Sequence, residues 1–350
     1  MPSKESIWPV NRGLLWKEWR INRLYFLIAF LLMSYDLIIK TVGYGLKGIL
    51  VADTAANGAA AWFGNTASNM LAVSYHNSLE QTGIYVSLLL GVIILMQERS
   101  GSLNYLVTTP VTRQEIIIAK FVAGSTFLLG LMFINAAFMA VASLLFGVSI
   151  SAILIIKWAV LTTAAFIALF SLGLLVATFT GHYLSGVVLA FLVAGFPQIL
   201  SAMLVNDNTQ KIFGLSPDWA EKIEGFISLF VLSDYITRNQ DAGTILQRFP
   251  PNYLTETLFL ILITALLLLA AVRIFSRNPL ENQGQMFIFD NAYHYAQILV
   301  AAIIAVGHAQ SKASTIAEFA ASMVIGFIIA YLVITLTGSL VYYLRERARG

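Results

Sequence analysis

The sequence predicts an all-α fold, a polytopic membrane helical bundle of about eight transmembrane helices, and three observations carry that prediction. Of the 350 residues, 58% are hydrophobic and 11% are charged, where an ordinary soluble domain has roughly a quarter charged residues. Apolar runs of about 18 residues or more, the length a helix needs to cross roughly 30 Å of hydrocarbon, recur from Leu24 onward. These runs are unbroken, whereas strands of a membrane barrel alternate apolar and polar residues. Inside lipid the backbone amides must then be satisfied within helices.

The expected spans, in chain order, are 24–43, 79–97, 116–147, 158–180, 184–205, 255–274, 293–306 and 316–343. The second is marginal in length, and the seventh has a strictly apolar stretch of barely ten residues. Residues 1–23, ahead of the first span, are polar and basic. The run that follows them is too long for a signal-peptide core and lacks a small-residue cleavage site, so it is expected to remain as an anchor. Within this leader, 12–23 reads RGLLWKEWRINR, with Leu15 and Trp19 four apart and Arg12, Lys17, Arg20 and Arg23 among them. Such a helix is expected in the cytoplasmic interface, with indoles at headgroup depth and cations against anionic lipid. Two readings stay open for it: a positive-inside anchor and nothing more, or an elbow that touches a cytoplasmic partner.

Orientation follows from the basic residues near the span ends. With the N-terminus inside, thirteen of the 21 Lys and Arg fall on the cytoplasmic side, which carries a net charge of +6 against −3 outside. Both termini are therefore expected in the cytoplasm. Two outer segments exceed simple connections. Residues 41–78 are rich in Ala, Gly and Asn, and 206–253 contains the apolar stretch 225–232. Eight residues reach only ~12 Å along a helix, so an interfacial or re-entrant helix is expected there.

The connection between the second and third spans reads QERSGSLNYLVTTPVTRQEIIIAK from Gln97 to Lys120. It has room for a short helix at 102–107 and a break at Pro110. Thr112 followed three residues later by Glu115, just before an apolar run, is a capping box, so the third span should start immediately after Thr112.

Several kinds of chemistry are excluded. The chain has no cysteine, hence no disulfide, thiolate metal site or cysteine nucleophile. His76, His182, His294 and His308 show no metal-ligand spacing. No G-x-x-x-x-G-K-[ST] loop is present, and the nearest glycine patch, 43–48, lacks its spacing. No G-x-S-x-G element or facing carboxylate pair suggests an intramembrane enzyme. The chain is thus expected to be non-catalytic and to bind no cofactor or metal itself. Asp36 and Lys40 stand four apart in the outer half of the first span. They either pair with each other, acid first, or leave Asp36 facing a substrate path. Glu80, Glu256 and Glu318 read as residues at outer span ends. A secondary transporter with no ATPase is the rival reading, but it would show inverted repeats and broken midplane helices. Gly195 with Pro197 alone is tolerated in a membrane helix without such a role.

A family resemblance attaches to two patches. Glu98, Arg99, Gly101, Leu103, Leu106, Thr109, Pro110, Val111, Arg113, Glu115 and Lys120 resemble the signature of type-two ABC (ABC-2) permeases. There an acidic residue, a Gly, a Leu-rich turn and a T-P-V-x-R-x-E segment form the cytoplasmic coupling helix. Trp16, Lys17, Glu18, Trp19 and Arg20 likewise resemble the W-K-E-x-R start of those permeases. The resemblance implies an N-terminal elbow at 1–23 and a six-span exporter core at 24–275, with coupling segment 97–118 and extracellular segment 206–254. A cytoplasmic linker and two C-terminal spans would then fill 276–350. The two extra spans and the stretch Arg277 to Gly284 resemble the Ytr-like permeases of Gram-positive bacteria, which would link the chain to acetoin use or cell-envelope stress.

What this resemblance implies is the membrane subunit of an ATP-driven exporter in a bacterial cell membrane. The expected partners are ABC ATPase subunits that hold ATP–Mg, a second copy or a related permease, and the lipid membrane, with no nucleic acid. Energy would enter between Glu98 and Glu115.

Overall fold

A computed structural model describes residues 12–52, 79–99, 111–145, 152–205, 210, 213, 216–232, 235, 253–277, 287–288, 290–312 and 315–347. For some of these, Asp36, Lys40, Glu98 and Arg99 among them, it describes the backbone alone. The helices are α1 (Arg12–Ala52), α2 (Leu79–Arg99), α3 (Arg113–Leu145), α4 (Ala152–Phe179), α5 (Tyr183–Val205), α6 (Pro217–Ser228), α7 (Tyr253–Ser276), α8 (Asp290–Lys312) and α9 (Ile316–Arg347). Each of the eight expected spans falls on one of them, and the fold is a polytopic helical bundle.

Among the described residues, six helices are long and apolar enough to cross a membrane: α1, α3, α4, α5, α7 and α9. The apolar part of α2, Thr82–Gln97, is shorter. It is also largely buried, packed against α1, α3 and α4, which suits a short apolar helix. The seventh expected span is a full helix, α8, yet it is not among the six. Polar residues at both ends of α8, Asp290 and Asn291 at one and Gln310 to Lys312 at the other, confine its apolar stretch to the middle.

Two expected boundaries fall differently. The leader and the first span form one uninterrupted helix of 41 residues, ~62 Å long at 1.5 Å per residue, so no break near residue 23 sets an elbow apart. In the second outer segment the helix is α6, Pro217–Ser228, rather than 225–232. Pro217 takes the first helical position, where its missing N–H costs nothing and its fixed φ favours the start. The chain leaves α6 in tight turns, with the amides of Leu229 and Phe230 donating to the carbonyls of Phe226 and Ile227.

By packing, the chain divides into two compact units. The first gathers the described residues of Met1–Ala190 and Leu232–Gly284, and the second those of Phe191–Val231 and Gln285–Gly350. In the first unit α4 is the central element, touching α2, α3 and α7, and 72% of its most apolar window is buried. Phe166, Phe170, Leu174 and Ala177 of α4 lie at the core with Leu88, Ile94 and Leu95 of α2, Ile117 and Leu128 of α3, and Phe275 of α7.

Glycine permits the closest approach. A Cβ on Gly91 would collide with the Phe170 carbonyl, and one on Gly173 with the Leu88 carbonyl, so α2 and α4 meet backbone to backbone as small residues allow in membranes. The second unit is built on the α8–α9 hairpin, with Gly326 of α9 against Ala305 and His308 of α8.

Several hydroxyls inside the apolar helices bond within their own helix. Ser171 donates to the Ile167 carbonyl at 2.7 Å, Thr257 to Tyr253 at 3.0 Å and Thr264 to Leu260 at 2.8 Å. Each lies one turn back, which satisfies the hydroxyl without a neighbour.

Candidate functional site

The site assembles at the end of the first unit where α1 and α3 begin and α2 and α7 finish. It starts from a local rule. The Glu115 amide donates to Thr112 Oγ1 at 3.2 Å, and the Thr112 amide donates to Glu115 Oε2 at 2.9 Å. This is the reciprocal capping box that the sequence predicts, and α3 begins at Arg113 as expected. With its start fixed, α3 presents Arg113 and Lys120 seven residues apart, two turns along nearly the same face.

Arg113 reaches sideways, its Nη1 donating to the Ser276 carbonyl at 3.3 Å. That carbonyl ends α7, where the chain has run out of helical donors and the helix dipole favours a cation.

Lys120 reaches inward. Its ammonium donates to Glu18 Oε2 of α1 and to the Ile94 carbonyl of α2, each at 3.0 Å. Both side chains are essentially inaccessible, at 0% for Lys120 and 1% for Glu18. Asn22, one turn along α1 from Glu18, donates to both the Glu18 carbonyl and Oε2, at 2.9 and 3.1 Å. Lys17 stands 3.8 Å from the other carboxylate oxygen. A buried charge needs a partner and further hydrogen bonds to be tolerable, and here the carboxylate and the ammonium supply them to each other across three helices. The first two turns of α3 are thereby tied to α1, α2 and α7.

Of the residues singled out in the sequence, Glu18 and Lys120 meet directly and Arg113 and Glu115 anchor the start of α3. Trp16, Trp19 and Arg20 lie on the accessible side of the same turns of α1. On these turns Leu14, Glu18, Asn22 and Phe26 are the buried series, while Trp16 and Trp19 are 63% and 47% exposed. Glu98 and Arg99 end α2, and Asp36 and Lys40 stand on α1, but their side chains lie outside the described residues, as do Gly101, Leu103, Leu106, Pro110 and the short helix expected at 102–107. Asn22, the Ile94 carbonyl and the Ser276 carbonyl were not anticipated. A signal for Asn22 existed, since it continues a spacing of four from Leu14 through Glu18 to Phe26 and so shares the buried face.

His182 serves locally, its Nδ1 accepting the Leu184 amide at 3.2 Å at the start of α5. Among the described residues no three of His, Cys, Asp and Glu cluster as metal ligands would.

A bundle with six helices long and apolar enough to cross a membrane, among the described residues, defines a polytopic membrane protein. Residues 66–237 match the family model described as ABC-2 family transporter protein. That range contains the connection between α2 and α3. The chain is also 24% identical over 325 residues to the probable ABC transporter permease YtrC of Bacillus subtilis (strain 168), covering 84% of this chain and 86% of that protein. Over just under half of its length the chain is thus similar to ABC-2 family transporter proteins, and over most of its length to a probable ABC transporter permease.

Proposed function

We propose that this subunit forms the translocation path of an ATP-driven exporter and receives its driving force through 97–118 from separate ATPase subunits. Those subunits bind and hydrolyse ATP–Mg, whereas this chain is non-catalytic and holds no cofactor. Two permease copies, or this chain and a related permease, stand side by side in the cell membrane with both termini in the cytoplasm.

One observation carries this reading. The start of α3 is capped by Thr112 and Glu115 and clamped through Arg113 and Lys120 to three neighbouring helices. A push on the segment just before it would move α1, α2 and α7 together instead of being absorbed in a loose loop. The match over 66–237 and the likeness to a permease of similar length support the same assignment. The two cations at the start of α3 and the Arg273 side chain in the last turn of α7 gather positive charge at this end, which supports its cytoplasmic placement.

The test is co-purification with co-expressed nucleotide-binding subunits, followed by their ATPase rate with and without this chain. Glu98→Lys should abolish most of the stimulation while leaving membrane insertion intact. Glu115→Gln is the cleaner partner variant, because Gln preserves the capping box and removes only the charge. Normal stimulation by both variants would remove 97–118 as the entry point.

A further inference from the structure

We propose that a groove on the N-terminal part of α1 binds one anionic glycerophospholipid. The groove is open, encloses about 740 Å³, and is walled by α1 together with Phe127 of α3. Its two ends differ in chemistry. Trp16, Arg20 and Arg23 form one, and Phe26, Leu27 and Phe30 beside Phe127 form the other. Spacings of three and four place these α1 residues in a single stripe. From Arg20 to Phe30 the stripe runs ~15 Å, half of the ~30 Å hydrocarbon thickness. Cationic at one end and apolar for the depth of one leaflet, it matches the layout of a phosphate on an acyl chain.

The walls are held in place before any lipid arrives. The Arg20 guanidinium lies 5.1 Å from the centre of the Trp16 ring, so its fork is already steered by the indole. Trp19 meets Phe26 edge-on at 4.8 Å, and Phe26 stacks on Phe127 at 4.6 Å. Charge selects the occupant. Among the described residues no carboxylate lines the groove, and one phosphate can accept from both guanidiniums in charge-assisted bonds. A second copy of this chain meeting the groove through the same surface would bring two more guanidiniums against these, which is repulsive. A free phosphate would leave the aromatic end uncovered.

This inference rests on α1 being embedded in a membrane and not on coupling to an ATPase, so the two readings fail separately. The full-length chain, purified in detergent and offered phosphatidylglycerol and phosphatidylcholine together, is examined by native mass spectrometry for retained lipid. Phosphatidylglycerol should be held in preference. Arg20→Gln with Arg23→Gln should weaken its retention about tenfold or more, the scale of a lost charge-assisted hydrogen bond, and leave phosphatidylcholine unchanged. Arg20→Lys with Arg23→Lys should keep the preference at reduced strength. Excess inorganic phosphate should not displace the lipid.

Equal retention of both lipids, no response to the glutamine pair, or displacement by inorganic phosphate would each overturn the proposal. The second copy is checked with Leu27→Cys, which becomes the sole cysteine of the chain. A self-disulfide in bilayers would mean that another permease covers the groove, again against the proposal, and its absence supports a lipid there.

Discussion

Glu18 and Lys120 sit 102 residues apart in the chain, and their pairing dominates the chemistry of the candidate site. Removing one member of such a buried pair strands the other charge, at a cost of about 3–5 kcal/mol. Glu18→Gln and Lys120→Met should therefore each lower the unfolding midpoint of the detergent-purified chain sharply. The double variant should cost less than the two singles together, by about 0.5–3 kcal/mol. Additive losses would show that the two side chains act independently. A milder effect belongs to the cap: Thr112→Ala should cost about 1 kcal/mol, read in the same unfolding measurement. The capping box was legible in the sequence because both residues lie within four positions of each other and obey a local rule. The ion pair was not, even though both residues lay in the two patches that resemble ABC-2 permeases, because nothing local says which distant cation a buried carboxylate will meet. The one available clue was register. On the face that carries Leu14 and Phe26 into the core, Glu18 and Asn22 are polar residues that need partners.

At the scale of helices, apolar run length located every expected span within a helix, since membrane thickness sets a minimum that few soluble segments reach. Run length could not tell a lipid-facing helix from an enclosed one. It marked the α2 run as marginal but did not show that α4 is the buried centre of its unit. Nor did it show that α1 continues unbroken from the basic leader, because an amphipathic start and an apolar continuation satisfy the same helical hydrogen bonds. Contact between α2 and α4 depends on Gly91 and Gly173, where an added methyl would strike backbone rather than a movable side chain. Gly91→Ala or Gly173→Ala should each destabilise the unit by about 1–3 kcal/mol or more. Gly130→Ala on α3, where nothing lies within 4 Å, should be neutral or slightly stabilising. Folded yields measured by size-exclusion in detergent would separate these outcomes, and equal yields for all three would contradict the backbone contact.

Over the whole molecule, large apolar side chains such as Phe133, Leu144 and Leu336 remain accessible at 75%, 83% and 67%, a surface that water would not tolerate and that lipid or a neighbouring subunit would cover. The basic-residue bias predicts both termini in the cytoplasm, so a reporter fused after Gly350 should be active there alone. An external signal would mean that one apolar helix, α8 being the one with the shortest apolar stretch, does not cross. Likeness to the ABC-2 family was legible because its motif is local and ordered. Substrate recognition has no comparable local signature, and hydroxyls such as those of Ser171, Thr257 and Thr264 bond to their own helices.

The central claim, that 97–118 rests against a separate ATPase, is tested most directly by cross-linking. Leu106→Cys, in a chain with no other cysteine, is loaded with a photoactivatable maleimide in membranes that contain the co-expressed ATPase subunits. The account predicts an adduct with the ATPase subunit and no labelling by an impermeant reagent added outside the cell. Labelling from outside, or no adduct with the ATPase subunit, would contradict it.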